Sequence, residues 1–402
     1  MSKLASGPAR NFAIESPFGR LAELLDDIEP EAAVIDLSVG GPRHPMPDFL
    51  IEKLAEAADD FGRYPAIGGT DDFREAVSEW LARRYSALRG AVDAEHDILP
   101  LCGTREGLFS AVIPAVQRKA DTQNPAVLIP NPFYQTYAAG ALVAGAEPIY
   151  LPADARSGFL PCLEALDDAL LARTAVMFIC SPANPQGAVA DEAYLSQAIN
   201  LARSHDFLLF ADECYSEIYT GRPPPGALAA SHSNHGDFRN VVGFQSLSKR
   251  SNLPGLRSGF CAGDADFIAA LAKLRNVTAP QLALPIQHAS SAIWRDEAHV
   301  EENRALYRAK FEIADEILGK RFGYRRPQGG FFLWLDVSEQ GGGERVAKTL
   351  WKDCGVKILP GSFLAQTGND GANPGSNHIR VAMVAGPEET TQALTRIVAR
   401  LG

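Results

Sequence analysis

A lysine stands eight residues before an arginine in Ser246-Leu247-Ser248-Lys249-Arg250-Ser251-Asn252-Leu253-Pro254-Gly255-Leu256-Arg257. The Pro-Gly pair between them lets the backbone turn and bring Arg257 back to the pocket that holds Lys249. One cation can then form an imine with a carbonyl while the other grips a phosphate through two N–H bonds. A desolvated amine beside a second cation loses proton affinity, which is the condition for Schiff-base chemistry. A solvated loop lysine is the plain alternative, and this segment alone does not decide between them.

Further segments offer partners for that chemistry. Phe210-Ala211-Asp212-Glu213-Cys214-Tyr215 ends an apolar run. Asp212 is either a helix-capping acid or a carboxylate under a pyridine ring, where it keeps the ring nitrogen protonated and makes the ring an electron sink. Tyr215, on the same turn, is a core residue or a donor to an oxygen of such a ring. Ser181-Pro182-Ala183-Asn184-Pro185-Gln186-Gly187 is an Asn-Pro turn with a glycine, and the Asn184 amide can donate to the same oxygen. Cys102-Gly103-Thr104-Arg105-Glu106-Gly107 reads as a strand running into a helix whose first N–H groups suit a phosphate, or as an ordinary N-cap. Tyr134 can stack on a flat ring or pack in the core. Arg380 lies inside the apolar stretch Asn377-His378-Ile379-Arg380-Val381-Ala382 and needs a partner, either a protein carboxylate or the α-carboxylate of an amino acid.

These residues need a scaffold. Short β-branched runs at Ile98–Leu101, Ala126–Ile129, Ala175–Ile179, Phe207–Phe210 and Val241–Phe244 alternate with helix-period stretches such as Asp191 to His205. That pattern predicts an α/β domain with a mainly parallel sheet covered on both faces, and ligands bound beyond the strands' carboxyl ends. The ends read differently: a short helix (Phe18 to Leu25), an extended Ala33–Leu37, then from about Ile286 a long helix (Glu297 to Leu318), a strand (Gly330 to Val337), and a last helix from Pro387. The expected division is 1–45 as an N-terminal segment joining the small domain, 46–285 as the large domain, and 286–402 as a smaller α+β domain.

The chain has 402 residues, 46% hydrophobic and 22% charged, with a formal charge of −11. That acidity argues against a nucleic-acid or anionic-membrane partner, since both need a basic face. Six scattered cysteines without a C-x-x-C pair predict reduced, buried thiols, and the dispersed histidines predict no metal site. Met1-Ser2-Lys3-Leu4-Ala5-Ser6-Gly7 has no apolar signal core, and no run approaches the ~18 apolar residues of a membrane span. A soluble cytoplasmic protein is expected.

Taken together, in this order along nearly the whole chain, Ser-x-Ser-Lys-x5-Gly-x-Arg, Asp-x-x-Tyr, Asn-Pro-x-Gly and the C-terminal arginine resemble the class I/II aminotransferases of the fold-type I pyridoxal-5'-phosphate (PLP) enzymes. The resemblance implies Lys249 as Schiff-base lysine and proton shuttle, with Asp212 on the pyridinium nitrogen and Tyr215 and Asn184 on its O3'. It implies Thr104, the Arg105 backbone, Ser246, Ser248 and Arg257 around the phosphate, and Tyr134 stacked on the ring. Arg380 and the Gly40 backbone would receive the substrate α-carboxylate. Tyr64 would reach the phosphate of a neighbouring subunit, so a homodimer with interfacial sites is implied, acting on amino acids and 2-oxo acids. Pro-Asn-Pro-Phe-Tyr (130–134), Gly-Thr-Arg-Glu-Gly-Leu-Phe (103–109), Leu-Pro-Gly-Ser-Phe-Leu-Ala (359–365) and 373–382 look like bacterial N-succinyldiaminopimelate aminotransferases of lysine biosynthesis, with 2-oxoglutarate as acceptor. Arg105 is then the first candidate for the substrate's distal carboxylate, ahead of Arg43 and Arg250. Gln186 in place of the usual threonine, and Gly41 where an acid often follows Gly40, depart from the pattern. The alternatives are a broad aromatic or kynurenine-type aminotransferase and a PLP-dependent C–S lyase of the same fold.

Overall fold

The computed structural model describes residues 14–368 and 370–402; the Met1–Gly7 reading falls outside them. In chain order the strands are β1 (Ile35–Asp36), β2 (Ile98–Leu101), β3 (Ala126–Asn131), β4 (Glu147–Pro152), β5 (Thr174–Cys180), β6 (Leu208–Asp212), β7 (Val241–Ser246), β8 (Gly259–Gly263), β9 (Phe332–Asp336), β10 (Val356–Lys357), β11 (Leu359–Pro360) and β12 (His378–Ala382).

A seven-stranded sheet of order β2-β8-β7-β6-β5-β3-β4 forms the centre. The pairs β3/β4, β3/β5, β5/β6 and β6/β7 are parallel, whereas β8 runs antiparallel to both β2 and β7. Side chains alternate across it, as the period of two requires. Leu128, Met177, Leu209 and Phe260 enter one apolar layer, and Val127, Val176, Phe210 and Phe244 the other. With helices over both layers, the strands carry hydrophobic residues at consecutive positions, which is why they read as continuous runs. The helix expected from Asp191 to His205 spans Glu192–Ser204, and the Asp191 side chain accepts the Tyr194 N–H to close its first turn.

A second core joins the two chain ends. β1 pairs with β10 through Ile35 and Val356, and Ile35 and Leu37 pack with Leu335, Val346, Leu350, Ile379 and Leu394. Beside it β9, β11 and β12 form an antiparallel sheet. The expected boundary at 285/286 cuts the helix Leu284–Arg295 after its second residue. That helix packs Ala289, Ile293 and Trp294 into the large core around Trp80, so packing moves the change of body to the start of the helix Ala298–Leu318.

The two bodies are tied at one rim of the cleft. The Asn131 side chain donates to the Gln366 carbonyl (2.9 Å) and accepts its N–H (3.0 Å), and Phe133 N–H donates to the Leu364 carbonyl (2.9 Å). No helix among the described residues is long and apolar enough to cross a membrane. Of the cysteines, Cys261 and Cys354 are buried, Cys102, Cys180 and Cys214 are half-buried and Cys162 is exposed, so the expectation of buried thiols fails at Cys162 and holds only in part elsewhere.

Candidate active site

The carboxyl ends of β3, β5, β6 and β7 deliver Asn131, Cys180, Asp212 and Ser246 to one edge of the sheet. Over that edge lies a cavity of about 520 Å³, lined by Gly40, Thr104, Arg105, Tyr134, Asn184, Asp212, Tyr215, Ser246, Ser248, Lys249, Arg257 and Arg380. Of the site residues expected from sequence, Tyr64, which is 100% exposed on this chain, and the weaker candidates Arg43 and Arg250 are not on its wall; the others are.

Lys249 sits in the short helix Leu247–Arg250 directly after β7. Its Nζ donates to the Gly40 carbonyl and lies 5.3 Å from the Phe331 ring centroid and 5.9 Å from that of Tyr215. Burial pulls its pKa down to about 8, and the charges of Arg380, Arg105 and Arg257 act in the same direction against an opposing influence from Cys214. The amine is therefore available as a nucleophile near neutral pH. Gly40 can approach because it has no side chain: a Cβ there would stand 2.6 Å from Phe332 Cζ.

Arg257 returns to this pocket because the chain reverses after the Leu247–Arg250 helix and re-enters the sheet as β8. Its φ is +56°, an uncommon conformation for a side chain of this size. Its guanidinium donates to the Pro254 (2.9 Å) and Cys102 (3.3 Å) carbonyls, oxygens that leave the charge uncompensated. Gly103 admits it: at φ +79° a Cβ on Gly103 would lie 2.0 Å from Arg257 Nη2. The hydroxyls of Thr104, Ser246 and Ser248 share this end of the cavity.

Arg380 enters from β12. It is 3% exposed and donates to the Asn184 side-chain oxygen (3.2 Å) and the Ser38 carbonyl (2.7 Å). Among the described residues its Nε has no partner, and its guanidinium lies 4.4 Å from the Phe332 ring centroid. Burial lowers its pKa to about 10, with Tyr215 opposing. An orphaned, buried fork of this kind is built to receive a planar anion. Of the two partners open at the sequence level, no carboxylate among the described residues takes the place.

Asp212 Oδ2 accepts the Tyr137 hydroxyl at 2.6 Å and Oδ1 accepts the Cys214 N–H at 3.2 Å. Burial pushes the Tyr215 phenol well above its ordinary value, so it acts as a neutral donor. Arg105 is held by Tyr134, whose hydroxyl accepts its Nε–H at 2.6 Å. Arg250 is a correction: it is 2% exposed and spends its donors on the Ile293 and Asp296 carbonyls and on Glu297, away from the cavity. Arg43 donates to the Asp36 carbonyl and is not on the cavity wall.

Sequence reasoning assigned nothing to Tyr137, Cys214, Phe18 or Phe332, which also line the cavity. For Tyr137 a signal existed, since it lies three residues after Tyr134 at a helix start and must share its face. The others are brought in by the fold alone. A lysine of lowered proton affinity, an uncompensated guanidinium at a glycine-cleared end and an anchored carboxylate on the floor fit a phosphorylated aldehyde of pyridine, and the volume leaves room for an amino acid beside it. Among the described residues, no group of three or more His, Cys, Asp or Glu is placed to hold a metal ion.

Comparison with known proteins agrees with this chemistry. Residues 32–399 match the family described as "Aminotransferase class I and II". A protein named LL-diaminopimelate aminotransferase from Moorella thermoacetica is 32% identical over 374 residues, covering 92% of this chain and 91% of that one. The crystal structure of an aminotransferase from Neisseria meningitidis superposes with a TM-score of 0.91 at 36% identity, covering 96% of this chain and 98% of the other. A probable N-succinyldiaminopimelate aminotransferase from Thermus thermophilus gives a TM-score of 0.83 at 26% identity, covering 96% and 100%.

Proposed function

Since the chain belongs to the class I and II aminotransferases, PLP enzymes of fold type I, we propose that it moves the amino group of N-succinyl-L,L-diaminopimelate to 2-oxoglutarate, in the cytoplasmic formation of diaminopimelate and lysine. When bound, PLP supplies an aldehyde and an electron-withdrawing ring. The protein supplies the rest. Lys249 Nζ anchors the cofactor and, once released, takes the proton from the substrate Cα. Asp212 holds a proton on the ring nitrogen, while Tyr215 and Asn184 donate to the ring oxygen and Tyr134 stacks on the ring. Thr104, the Arg105 backbone, Ser246, Ser248 and Arg257 hold the phosphate. Arg380 and the Gly40 backbone orient the α-carboxylate. Tyr64, projecting fully into solvent, reaches the phosphate of the other subunit in a homodimer.

The observation that carries the substrate is the charge of the cavity wall. Asp212 is its one carboxylate among the described residues, and both of its oxygens are engaged by Tyr137 and Cys214. A donor whose distal amine is free would bring an ammonium with no counter-charge from this chain. A distal carboxylate instead meets Arg105, and an acyl-blocked amine suits the nearby apolar Phe18, Phe133 and Leu364. Unblocked LL-diaminopimelate is the second reading, favoured by the name of the Moorella relative.

Both donors, with glutamate, alanine and phenylalanine for comparison, should be assayed against 2-oxoglutarate. The succinylated donor should give the highest kcat/KM, and Arg105→Met should raise KM at least ~10-fold for dicarboxylates while leaving alanine within ~2-fold. Faster turnover of the unblocked donor would replace the first reading by the second. Preference for phenylalanine would indicate the aromatic type, and release of pyruvate and ammonia without amino transfer would indicate a lyase.

A further inference from the structure

Tyr137 is a buried polar side chain to which the proposed reaction gives no task. It is 1% exposed and donates its hydroxyl to Asp212 Oδ2 at 2.6 Å. Phe178 stacks on it with centroids 4.2 Å apart and planes at 12°, and Tyr134 meets it edge-on at 5.6 Å and 89°. The ring cannot swing without displacing one of them. Burial, and after it the charge of Asp212, push the phenol well above its ordinary pKa. It therefore stays a neutral donor at working pH, and Oδ2 can only accept. The Cys214 N–H at 3.2 Å is a second donor to the same carboxylate, so both of its oxygens are fixed in place.

We propose that Tyr137 is a positioning residue that holds the Asp212 carboxylate aimed into the cavity, so that a ring nitrogen above it retains its proton. The inference rests on the reading of Asp212 as partner of that nitrogen. Without the hydroxyl, the carboxylate is free to turn away from the ring nitrogen, which would then hold its proton less firmly. The ring then loses positive charge, and the nitrogen that Lys249 contributes becomes more basic.

Tyr137→Phe keeps the ring and its stack on Phe178. In the holoenzyme it should lower kcat about 10-fold with KM within about 2-fold. The pH midpoint of the bound cofactor's visible absorbance should rise by about half a unit or more. Tyr137→His, which retains a donor, should keep the midpoint nearer the wild type, and it carries the same readout should the Phe variant not fold. Asp212→Asn is the reference: adding Tyr137→Phe to it should change little further, because both act through one carboxylate. An unmoved midpoint in Tyr137→Phe, a His variant shifted as far as the Phe variant, or kcat losses that multiply in the double variant would each overturn the proposal and leave Tyr137 a packing residue. If Asp212→Asn itself left midpoint and turnover unaltered, the reading of Asp212 would fall first and take the proposal with it.

Discussion

Replacing Arg380 by methionine should make the unliganded protein slightly more stable and nearly inactive. The guanidinium is 3% exposed, its hydrogen-bond partners are two uncharged oxygens, and its Nε is orphaned. Burial lowers its pKa from the ordinary guanidinium value to about 10, a gap worth about 3 kcal/mol against the folded state. Because the folded pKa of this cation is depressed, that cost is present at every pH below about 10 and is relieved only as the pH rises beyond it. Methionine removes the charge and fills much of the same volume, while the two hydrogen bonds and the contact with Phe332 are lost. The balance should be a melting temperature unchanged or ~1–3 °C higher. For catalysis the sign reverses. Two charge-assisted bonds to an α-carboxylate at ~1.5–3 kcal/mol each correspond to a loss of ~10² to 10⁴ in kcat/KM. Calorimetry with and without 2-oxoglutarate reads both effects, since the acid should raise the melting temperature of the wild type and not that of the variant. A variant destabilised by more than ~2 kcal/mol, or one equally slow toward amines that lack an α-carboxylate, would refute the reasoning.

Two other expectations concern the cofactor end of the cavity. With its pKa at about 8, the Lys249 amine of the apoprotein should capture PLP at a rate that climbs between about pH 7 and 9 and then levels. A climb continuing past pH 10 would mark an ordinary solvated lysine. Gly103→Ala, whose new Cβ would collide with Arg257 Nη2 at a φ of +79°, should weaken PLP binding at least ~10-fold by equilibrium dialysis; affinity within ~2-fold of wild type would remove Arg257 from the phosphate.

The strands that bear the site were legible in the sequence because burial on both faces writes them as unbroken apolar runs, and three residues of the cavity wall, Cys180, Asp212 and Ser246, end those strands. β4 and β8 were not legible. Glu147–Pro152 is a half-exposed edge strand holding two prolines, and Gly259–Gly263 is short and begins and ends in glycine, so neither carries a strong periodic signal. Motif spacing placed Lys249 and Arg257 in one pocket without revealing how the chain turns between them. It kept Arg250 as a weaker candidate for the distal carboxylate, yet Lys249 and Arg250, adjacent in sequence, part ways: one faces the cavity, and the other lies against Trp294 at 5.0 Å. Tyr137 and Asp212 are 75 residues apart, and only the sheet order brings them together.

The reversed direction of β8 has a consequence of its own. In a wholly parallel sheet the ligand edge gathers only the exits of strands, but here an exit (Lys249) and an entrance (Arg257) flank the same excursion of chain. A molecule seized at both becomes a clasp across that short loop, adding to the backbone bonds that already join its two ends where β7 pairs with β8. Loading the cofactor would thereby fasten the β7–β8 edge, and stripping it would loosen the segment that must recapture it.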